Sequence, residues 1–159
     1  MTNTFKSKTP WREKLERPQA PKIVPVPPKM TQFGKGTMLI PTPKLVDRLI
    51  RKIPKGKLVT VGEIRRKLAR DHGANVTCPL TTGIFVRIVA EAANEESLNR
   101  SLRVTPYWRV VRDNGELHPK FPGGVKQQSR YLREEGFSVV RNGKKPPVVK
   151  DFARRLASL

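Results

Sequence analysis

The chain has 159 residues, of which 33 are Lys or Arg and 13 are Asp or Glu, so its formal net charge is +20. No apolar run reaches the roughly 18 residues of a membrane span, and no apolar stretch follows the first lysines, so we expect a cytoplasmic protein without membrane contact. One cysteine, Cys78, and two histidines exclude a disulfide framework and a multi-cysteine metal site, and no cofactor is expected. The excess of cations favours a polyanionic partner, most often nucleic acid, because Lys and Arg release counterions from phosphates.

Changes in composition divide the chain into three predicted segments: a basic, proline-rich arm over residues 1–40, a folded domain over 41–137 and a basic tail over 138–159. Their net charges are +6, +9 and +5. Proline removes backbone donors and favours extended chain, so the arm and the tail are expected to be largely irregular, apart from one weak helix over 152–159. Two interpretations of the arm stay open: a solvated segment, or a segment that follows DNA phosphates while Trp11 stacks or docks on the domain.

Apolar residues with helical spacing predict three helices in the first half of the domain. The first runs from about Leu45 to Ile53, where Pro54 ends it. The second begins near Thr60, which forms a capping-box pattern with Glu63, and ends at residues 71–73. The third is opened by the sequence around residues 79–82. Its predicted buried stripe is Ile84, Phe85, Ile88, Val89, Ala92 and Ala93, and its predicted solvent face is Thr82, Gly83, Val86, Arg87, Ala90 and Glu91.

The second half of the domain predicts a small hairpin and a last helix. After a polar connection over 99–103, residues 107–111 are rich in β-formers, and Asp113-Asn114-Gly115 is a strong hairpin turn signal. A helix follows over 125–135 and ends at Gly136. This order predicts a mainly α fold with a small β hairpin, a winged helix-turn-helix domain with basic, largely irregular tails. Its third helix would face DNA, and its small face suits the minor groove better than the major groove. The alternative is that this helix is packed on both sides.

Several stretches resemble the DNA-binding domain of the O6-alkylguanine-DNA alkyltransferases. That family writes Ile-Pro-x-Gly-x-Val-x-Thr-Tyr-Gly-x-Ile where this chain has residues 53–64. It writes Pro-Cys-His-Arg-Val-Val where this chain has Pro106-Tyr107-Trp108-Arg109-Val110-Val111. Residues 113–117 and the closing Gly-Gly, Lys, Leu and Glu-Gly over 123–136 follow in the same order. The resemblance spans about Leu45 to Phe137 and implies the family's DNA-binding domain over 41–137.

The departures from the family pattern imply that the alkyl-transfer reaction is lost. The family moves an alkyl group from guanine onto a cysteine thiolate, which a histidine activates and a glutamate helps to orient. Here Tyr107 and Trp108 stand at the cysteine and histidine positions, and only the glutamate position, Glu135, is kept. A phenol with a pKa of about 10 is almost wholly protonated near neutral pH. Because Cys78 lies far from this motif, we expect no enzyme activity. The alkyltransferase-like proteins, which flip alkylated guanine into a pocket and hand it to nucleotide excision repair, show the same loss.

The resemblance implies two sets of site residues. The lesion or base pocket is expected to contain Val61, Pro106, Tyr107, Trp108, Arg109 and Glu135. The DNA-binding surface is expected to contain Lys55, Lys57, Thr60, Gly62, Arg65, Arg66, Thr81, Thr82, Gly83 and Arg87. Tyr107 and Trp108 either stack on a flipped base or fill an obsolete pocket, and Arg109 is expected to brace the loop.

At three further positions the chain departs from the family pattern or has no settled counterpart. Val61 replaces the tyrosine that helps to rotate the flipped nucleotide. No residue clearly replaces the arginine finger, since Thr81 and Thr82 stand near its place and Arg87 would need a different helix register. The asparagine before the cysteine loop corresponds to either Asn94 or Asn99.

These observations predict a non-enzymatic, monomeric protein that binds double-stranded DNA, with O6-alkylguanine as the expected lesion and base flipping as the expected mode. Nucleotide excision repair proteins are the expected partners, and the protein is expected in the cytoplasm, at the nucleoid when it is bound to DNA. The alternative is a general nucleic-acid-binding winged-helix module, regulatory or associated with RNA or ribosomes, without lesion specificity.

Overall fold

The computed structural model describes residues 9–98 and 104–159 of the chain, so the predicted connection over 99–103 and Asn99 lie outside the described residues. Its helices are α1 (Trp11–Glu16), α2 (Pro43–Arg51), α3 (Val61–His72), α4 (Pro79–Leu98) and α5 (Gly124–Glu134). Its strands are β1 (Lys22–Pro25), β2 (Thr37–Ile40), β3 (Val59–Thr60), β4 (Val76–Thr77), β5 (Val110–Val111), β6 (Val139–Asn142) and β7 (Lys145–Val149). Short 3-10 helices cover Pro28–Phe33, Tyr107–Arg109 and Phe152–Arg155. Among these residues no helix combines the length and apolar character of a membrane span, and no side-chain cluster could hold a metal ion.

Local capping signals fix the ends of the central helices, and these three predicted helices are confirmed. The Thr42 side chain accepts a hydrogen bond from the Leu45 amide at 3.3 Å at the start of α2. The Thr60 side chain accepts one from the Glu63 amide at 3.2 Å at the start of α3. At the end of α3, Gly73 adopts the left-handed conformation with a φ of 69°, which glycine reaches without strain. Helices α3 and α4 therefore form the helix-turn-helix pair.

The buried face of α4 differs from the predicted one. Thr82, Val86 and Ala90, which were expected in solvent, are 0%, 2% and 0% exposed, whereas Ile84 is 58% exposed. The reason is that α4 packs against α1, α2 and α3 at once, so most of its circumference is covered along its middle. Its exposed residues lie in the first turns, up to Arg87, and at its last two positions, Ser97 and Leu98. The alternative of a helix packed on both sides thus describes the middle of α4.

The first segment contains more regular structure than the predicted irregular arm. Strand β1 pairs with β2 in antiparallel fashion, and β2 pairs with β4 in parallel, which joins residues 22–40 to the helix-turn-helix. Leu15 on α1 is 3% exposed and Leu39 on β2 is 0% exposed. The amides of Trp11 and Arg12, which lack a side-chain cap of their own, donate to the Glu95 carboxylate at 3.0 and 2.9 Å. Burial and capping by α4 therefore order residues 9–40, and Trp11 docks on the domain.

The predicted hairpin is also corrected. The turn over 113–115 forms, since the Gly115 amide donates to the Arg112 carbonyl at 2.8 Å. Strand β5, however, pairs in parallel with β3, and the chain after the turn bonds to the tail, where the Leu117 amide donates to the Pro147 carbonyl at 2.9 Å. The tail itself forms the antiparallel pair β6–β7, and a 3-10 turn replaces the predicted helix over 152–159. Burial of Val139 and Val149 against Leu132 and Phe137 explains why this part of the tail is ordered.

A single buried amide connects α5 to the loop that precedes it in the chain. Gln128 is 0% exposed. Its Nε2 donates to the carbonyls of Trp108 at 3.2 Å and Val110 at 2.9 Å, and its Oε1 accepts from the His118 amide at 2.8 Å. Three backbone groups of an irregular segment are thus satisfied by one side chain.

We predict that Gln128→Leu lowers the free energy of unfolding by about 3 kcal/mol, because each buried backbone group left without a partner costs roughly 1–3 kcal/mol. Urea unfolding at pH 7 measures the change. Lys126→Leu, at an exposed position of the same helix, serves as the control and should change the free energy by less than about 0.5 kcal/mol. A Gln128→Leu protein as stable as the control would contradict this assignment.

Candidate nucleic-acid interface

A cavity of about 120 Å³ lies where the start of α4 meets the loop after β5. Its walls are Val61, Gly83, Val86, Arg87, Arg112, His118, Lys120 and Phe121. Beside it runs a more open groove of about 500 Å³, to which Arg65, Pro79, Asp113 and Asn114 also contribute. Of the residues predicted for the base pocket, Val61 lines the cavity. Gly83 and Arg87, predicted for the DNA surface, line it as well.

Tyr107 lies next to this cavity rather than in its wall. Its ring is 2% exposed and packs edge-on against Phe121, with ring centroids 5.5 Å apart. Its hydroxyl accepts a hydrogen bond from Gln127 Nε2 at 2.9 Å, and the same amide lies 3.3 Å from Asn94 Oδ1. Burial raises the pKa of the Tyr107 phenol to about 12, although the bond from Gln127 opposes the rise. The residue at the family's cysteine position is therefore a neutral, enclosed phenol.

The other predicted pocket residues form a separate brace. Trp108 Nε1 donates to Glu135 Oε2 at 2.7 Å, and Arg109 Nε donates to Glu135 Oε1 at 2.8 Å. Arg109 Nη1 also donates to the Ile53 carbonyl at 2.7 Å. Burial acts to raise the pKa of Glu135, but the hydrogen bonds from Arg109 and Trp108 together lower it below its ordinary value. None of these side chains, nor Pro106, lines this cavity, but Trp108 and Tyr107 line a separate cavity of about 120 Å³ together with Tyr131. The structure therefore divides the predicted pocket residues between the two cavities and a loop brace.

Two wall residues were missed by the sequence analysis. The rings of His118 and Phe121 stack with centroids 4.1 Å apart and planes at 17°. Burial, and secondarily the charge of Arg112, lowers the pKa of His118 to about 4, so the imidazole is neutral at pH 7. Its Nε2 is enclosed and has no hydrogen-bond partner among the described residues. The sequence signal for them is weak: two aromatic rings stand just before the Gly-Gly pair, at positions where the chain departs from the family pattern.

Two residues predicted to touch DNA are already engaged within the protein. Thr60 is 5% exposed and caps α3. The Gly62 amide donates to Asp113 Oδ1 at 2.7 Å, and a Cβ at Gly62 would lie 2.7 Å from the same oxygen, so this contact requires glycine. Because Asp113 occupies the amide at the start of α3, a phosphate would have to bind elsewhere.

Cations surround the cavity and the groove. They are Arg65, Arg87, Arg112 and Lys120. Arg65 Nη2 lies 3.4 Å from Asp113 Oδ2, and Arg112 Nη1 lies 3.3 Å from Glu116 Oε2, so the two groove carboxylates are each near one arginine. The remaining charge of this surface is positive. Lys55 and Lys57 are exposed on the turn before β3 and do not line the cavity, and Arg66 lies on another face of α3.

The exposed start of α4 presents apolar side chains instead of the predicted threonines. Leu80 and Ile84, one turn apart, are 69% and 58% exposed, and Arg87 follows on the same face. A Cβ at Gly83 would have open space around it, so the backbone is accessible there. Thr82 is fully buried and donates to the Cys78 carbonyl at 2.7 Å, and Thr81 lies 3.4 Å from the same oxygen.

The thiol of Cys78 has no place in this site. Cys78 is 6% exposed at the junction of β4 and α4, and its amide donates to the Leu39 carbonyl at 2.8 Å. It lines neither the cavity nor the groove.

We predict that His118 makes stability fall as pH decreases. The imidazole has an ordinary pKa of 6.5 when unfolded and about 4 when folded, so the unfolded chain binds the extra proton between these values. The contribution of the neutral His118 to the free energy of unfolding is therefore complete above pH 6.5 and is lost as the pH falls toward 4. We expect a loss of about 2 kcal/mol between pH 7 and 4.5. Urea unfolding at the two pH values measures this loss. His118→Gln should remove most of it, while His72→Gln should retain it; equal losses in wild type and His118→Gln would contradict the prediction.

Comparison with known proteins places this geometry in a family. The sequence profile described as 6-O-methylguanine DNA methyltransferase, DNA binding domain, matches residues 41–137. The fold is similar to that of S. pombe Atl1 in complex with damaged DNA containing O6-carboxymethylguanine, with a TM-score of 0.52 and 19% identity over 74% of this chain and 94% of that chain. A second structure of S. pombe ATL in complex with DNA gives a TM-score of 0.51 and 20% identity with the same coverage. No curated protein sequence matches the chain. The helix-turn-helix fold is thus shared with these structures, and the profile match over most of the chain shows that the protein belongs to the 6-O-methylguanine DNA methyltransferase DNA-binding domain family.

Proposed function

We propose that this protein is a non-enzymatic, alkyltransferase-like protein that binds double-stranded DNA and recognises alkylated guanine by taking the base into its cavity. The observation that carries the proposal is the cavity walled by Val61, His118 and Phe121, which lies beside the free start of α4 and is surrounded by cations. Membership of this DNA-binding family supports it, as does the fold shared with proteins that hold damaged DNA.

The start of α4 has the properties of an apolar wedge. Side chains such as Leu and Ile inserted from the minor groove unstack base steps and kink the duplex. Leu80 and Ile84 project into solvent within one turn of Gly83 and Arg87, which line the cavity. A wedge at this point would fill the space that a base leaves when it enters the cavity. We therefore assign to Ile84 and Leu80 the position for which the sequence offered no arginine finger.

The cavity offers recognition without reaction. Flipping a base costs a few kcal/mol, less for a damaged base, and stacking on an aromatic ring returns about 1–3 kcal/mol. Phe121 provides the ring, and the neutral His118 provides a hydrogen-bonding edge. The nearest residue at the reactive position, Tyr107, is a neutral phenol, and Glu135 is committed to Arg109 and Trp108. A bound lesion would stay on the DNA, and the proposal extends to a cytoplasmic monomer that hands the lesion to nucleotide excision repair.

We predict that the full chain binds a duplex with one O6-methylguanine at least about tenfold more tightly than the same duplex with guanine, a difference of 1.4 kcal/mol. Fluorescence anisotropy near physiological salt measures both affinities. A methyl label on the guanine should remain on the DNA after incubation. Equal affinity for both duplexes would contradict the proposal and favour the general nucleic-acid-binding module, which an RNA duplex of the same sequence would test directly.

We predict that Ile84→Ala weakens binding to the lesion duplex by tenfold or more. In the proposed complex Ile84 would be buried between bases, and burying such a side chain contributes about 1.5–3 kcal/mol. A 2-aminopurine next to the lesion should also lose part of its fluorescence increase. Ile23→Ala, at an isoleucine that is 49% exposed on β1, is the matched control and should behave as wild type. The wedge assignment fails if Ile84→Ala binds and flips as well as the control.

A further inference from the structure

A larger cavity, of about 320 Å³, lies between α3 and the residues that precede β2. Its walls are Gln32, Phe33, Gly62, Arg65, Arg66, Ala69, Asn75, Val76 and Thr77. It meets the nucleic-acid interface at Arg65, which borders both. Phe33 and Gln32, however, come from the chain before residue 41, outside the stretch that the family profile matches.

The loop that follows Phe33 packs closely against Asn75, in the turn after α3, and Val76 of β4. Gly34 and Gly36 have φ values of 140° and 98°, which favour glycine. A Cβ at Gly34 would lie 2.5 Å from Val76 Cγ1, and one at Gly36 would lie 2.2 Å from Asn75 Oδ1. The amide of Thr37 donates to the same Asn75 oxygen at 2.9 Å. This close packing fixes the wall of the cavity before any ligand arrives.

The charges around this cavity suit an anion. Its lining contains Arg65 and Arg66 and no carboxylate. Arg65 Nε is enclosed and has no hydrogen-bond partner among the described residues, and Arg66 is exposed and makes no ion pair among them. Lys35 lies on the same loop as Phe33. The accessible guanidinium nitrogens of Arg66 and of Arg65, whose side chain is 25% exposed and whose Nη2 is only 3.4 Å from Asp113 Oδ2, can form charge-assisted hydrogen bonds with a phosphate.

The remaining wall is apolar. Phe33 is 45% exposed at the edge of the cavity, and Ala69 and Val76 continue the apolar surface. A free inorganic phosphate would leave this surface uncovered. A nucleotide of a DNA strand would cover it, because the C–H face of its deoxyribose lies next to the phosphate.

We propose that this cavity binds one backbone nucleotide of the DNA strand that passes α3, with its phosphate on Arg65 and Arg66 and its deoxyribose against Phe33. The inference rests on the proposed function only in that DNA is the ligand. It adds a contact made by the segment before the family domain, next to the helix end whose amide Asp113 occupies. Since phosphate and sugar contacts carry no sequence information, this site adds affinity without lesion preference.

The test uses Phe33→Ala and Arg66→Gln in the full chain, with affinity for lesion and undamaged duplexes measured across a salt series. Arg66→Gln should weaken both complexes about tenfold or less and reduce the slope of log K against log salt by about 0.9, the value for one lost phosphate contact. Phe33→Ala should weaken both complexes by a similar factor and leave the slope unchanged. The ratio between the two duplexes should stay at its wild-type value in both variants.

Two matched controls leave the cavity intact. Arg70→Gln removes an exposed arginine one turn later on α3, and Ile23→Ala changes an exposed apolar residue of β1. Both should keep wild-type affinity, and Arg70→Gln should keep the salt slope. A photo-crosslinking benzoylphenylalanine at position 33, but not at position 23, should attach to DNA, which provides a readout even if Phe33→Ala reduces stability.

The proposal is overturned if the wild type binds DNA while Phe33→Ala and Arg66→Gln match their controls and position 33 does not crosslink. This outcome differs from failure of the proposed function, which is read on the wild type alone as equal affinity for lesion and undamaged duplexes. Crosslinking at position 33 together with equal affinity for both duplexes would support the backbone site and reject lesion recognition.

Discussion

The loop between residues 104 and 118 has few strand hydrogen bonds, and buried backbone groups must nevertheless be paired. Gln128 meets this requirement from a neighbouring helix by bonding the carbonyls of Trp108 and Val110 and the amide of His118. This one side chain thereby sets the distance between α5, β5 and the cavity wall. The positions of Tyr107 and of the stacked His118–Phe121 pair depend on these bonds, together with those of Trp108 and Arg109 to Glu135 and the pairing of β5 with β3.

The chemistry of the site is one of neutral groups inside a cationic rim. The phenol of Tyr107 and the imidazole of His118 are both uncharged at pH 7: burial raises the pKa of the phenol further above its ordinary value of about 10 and lowers the pKa of the imidazole to about 4. The Glu135 carboxylate is charged, but it already accepts hydrogen bonds from Arg109 and Trp108. A base that enters would meet surfaces that stack and donate or accept hydrogen bonds, and no nucleophile. In the proposed complex, the arginines and the lysine of the rim would face the phosphates of the DNA.

The sequence predicted correctly those features that depend on interactions between residues close together in the chain. The caps at Thr60 and Gly73 and the turn at 113–115 depend on residues close in the chain, and they were placed correctly. Which face of α4 is buried could not be predicted in this way, because α1 packs against α4. Helix α1 lies in a segment whose prolines predicted an irregular arm. The partner of β5 was missed for the same reason, since strand pairing joins residues about 50 positions apart and no local pattern encodes it.

The resemblance to the family predicted which part of the chain forms the candidate site, but it did not predict all the residues of the cavity wall. Val61 was predicted because it stands at the family's tyrosine position, and Gly83 and Arg87 because they lie on the predicted solvent face of the third helix. The structure brings these three residues together at the cavity. His118 and Phe121 stand where the family pattern offered no matching letter. Leu80 and Ile84 are apolar residues that any pattern of burial would assign to the core. Their exposure results from the crowding of the opposite face of α4.

The packing of α1 against α4 determines which of the two partners would deform when the protein binds DNA. Glu95 near the far end of α4 holds the first amides of α1, and Leu15 is buried beneath them, so α4 is supported along its length from the side opposite the groove. This packing restrains α4 against bending and rolling. In the proposed complex, most of the distortion would therefore fall on the DNA. Binding would then depend on how easily a base step opens, and a duplex already weakened at one base would open first.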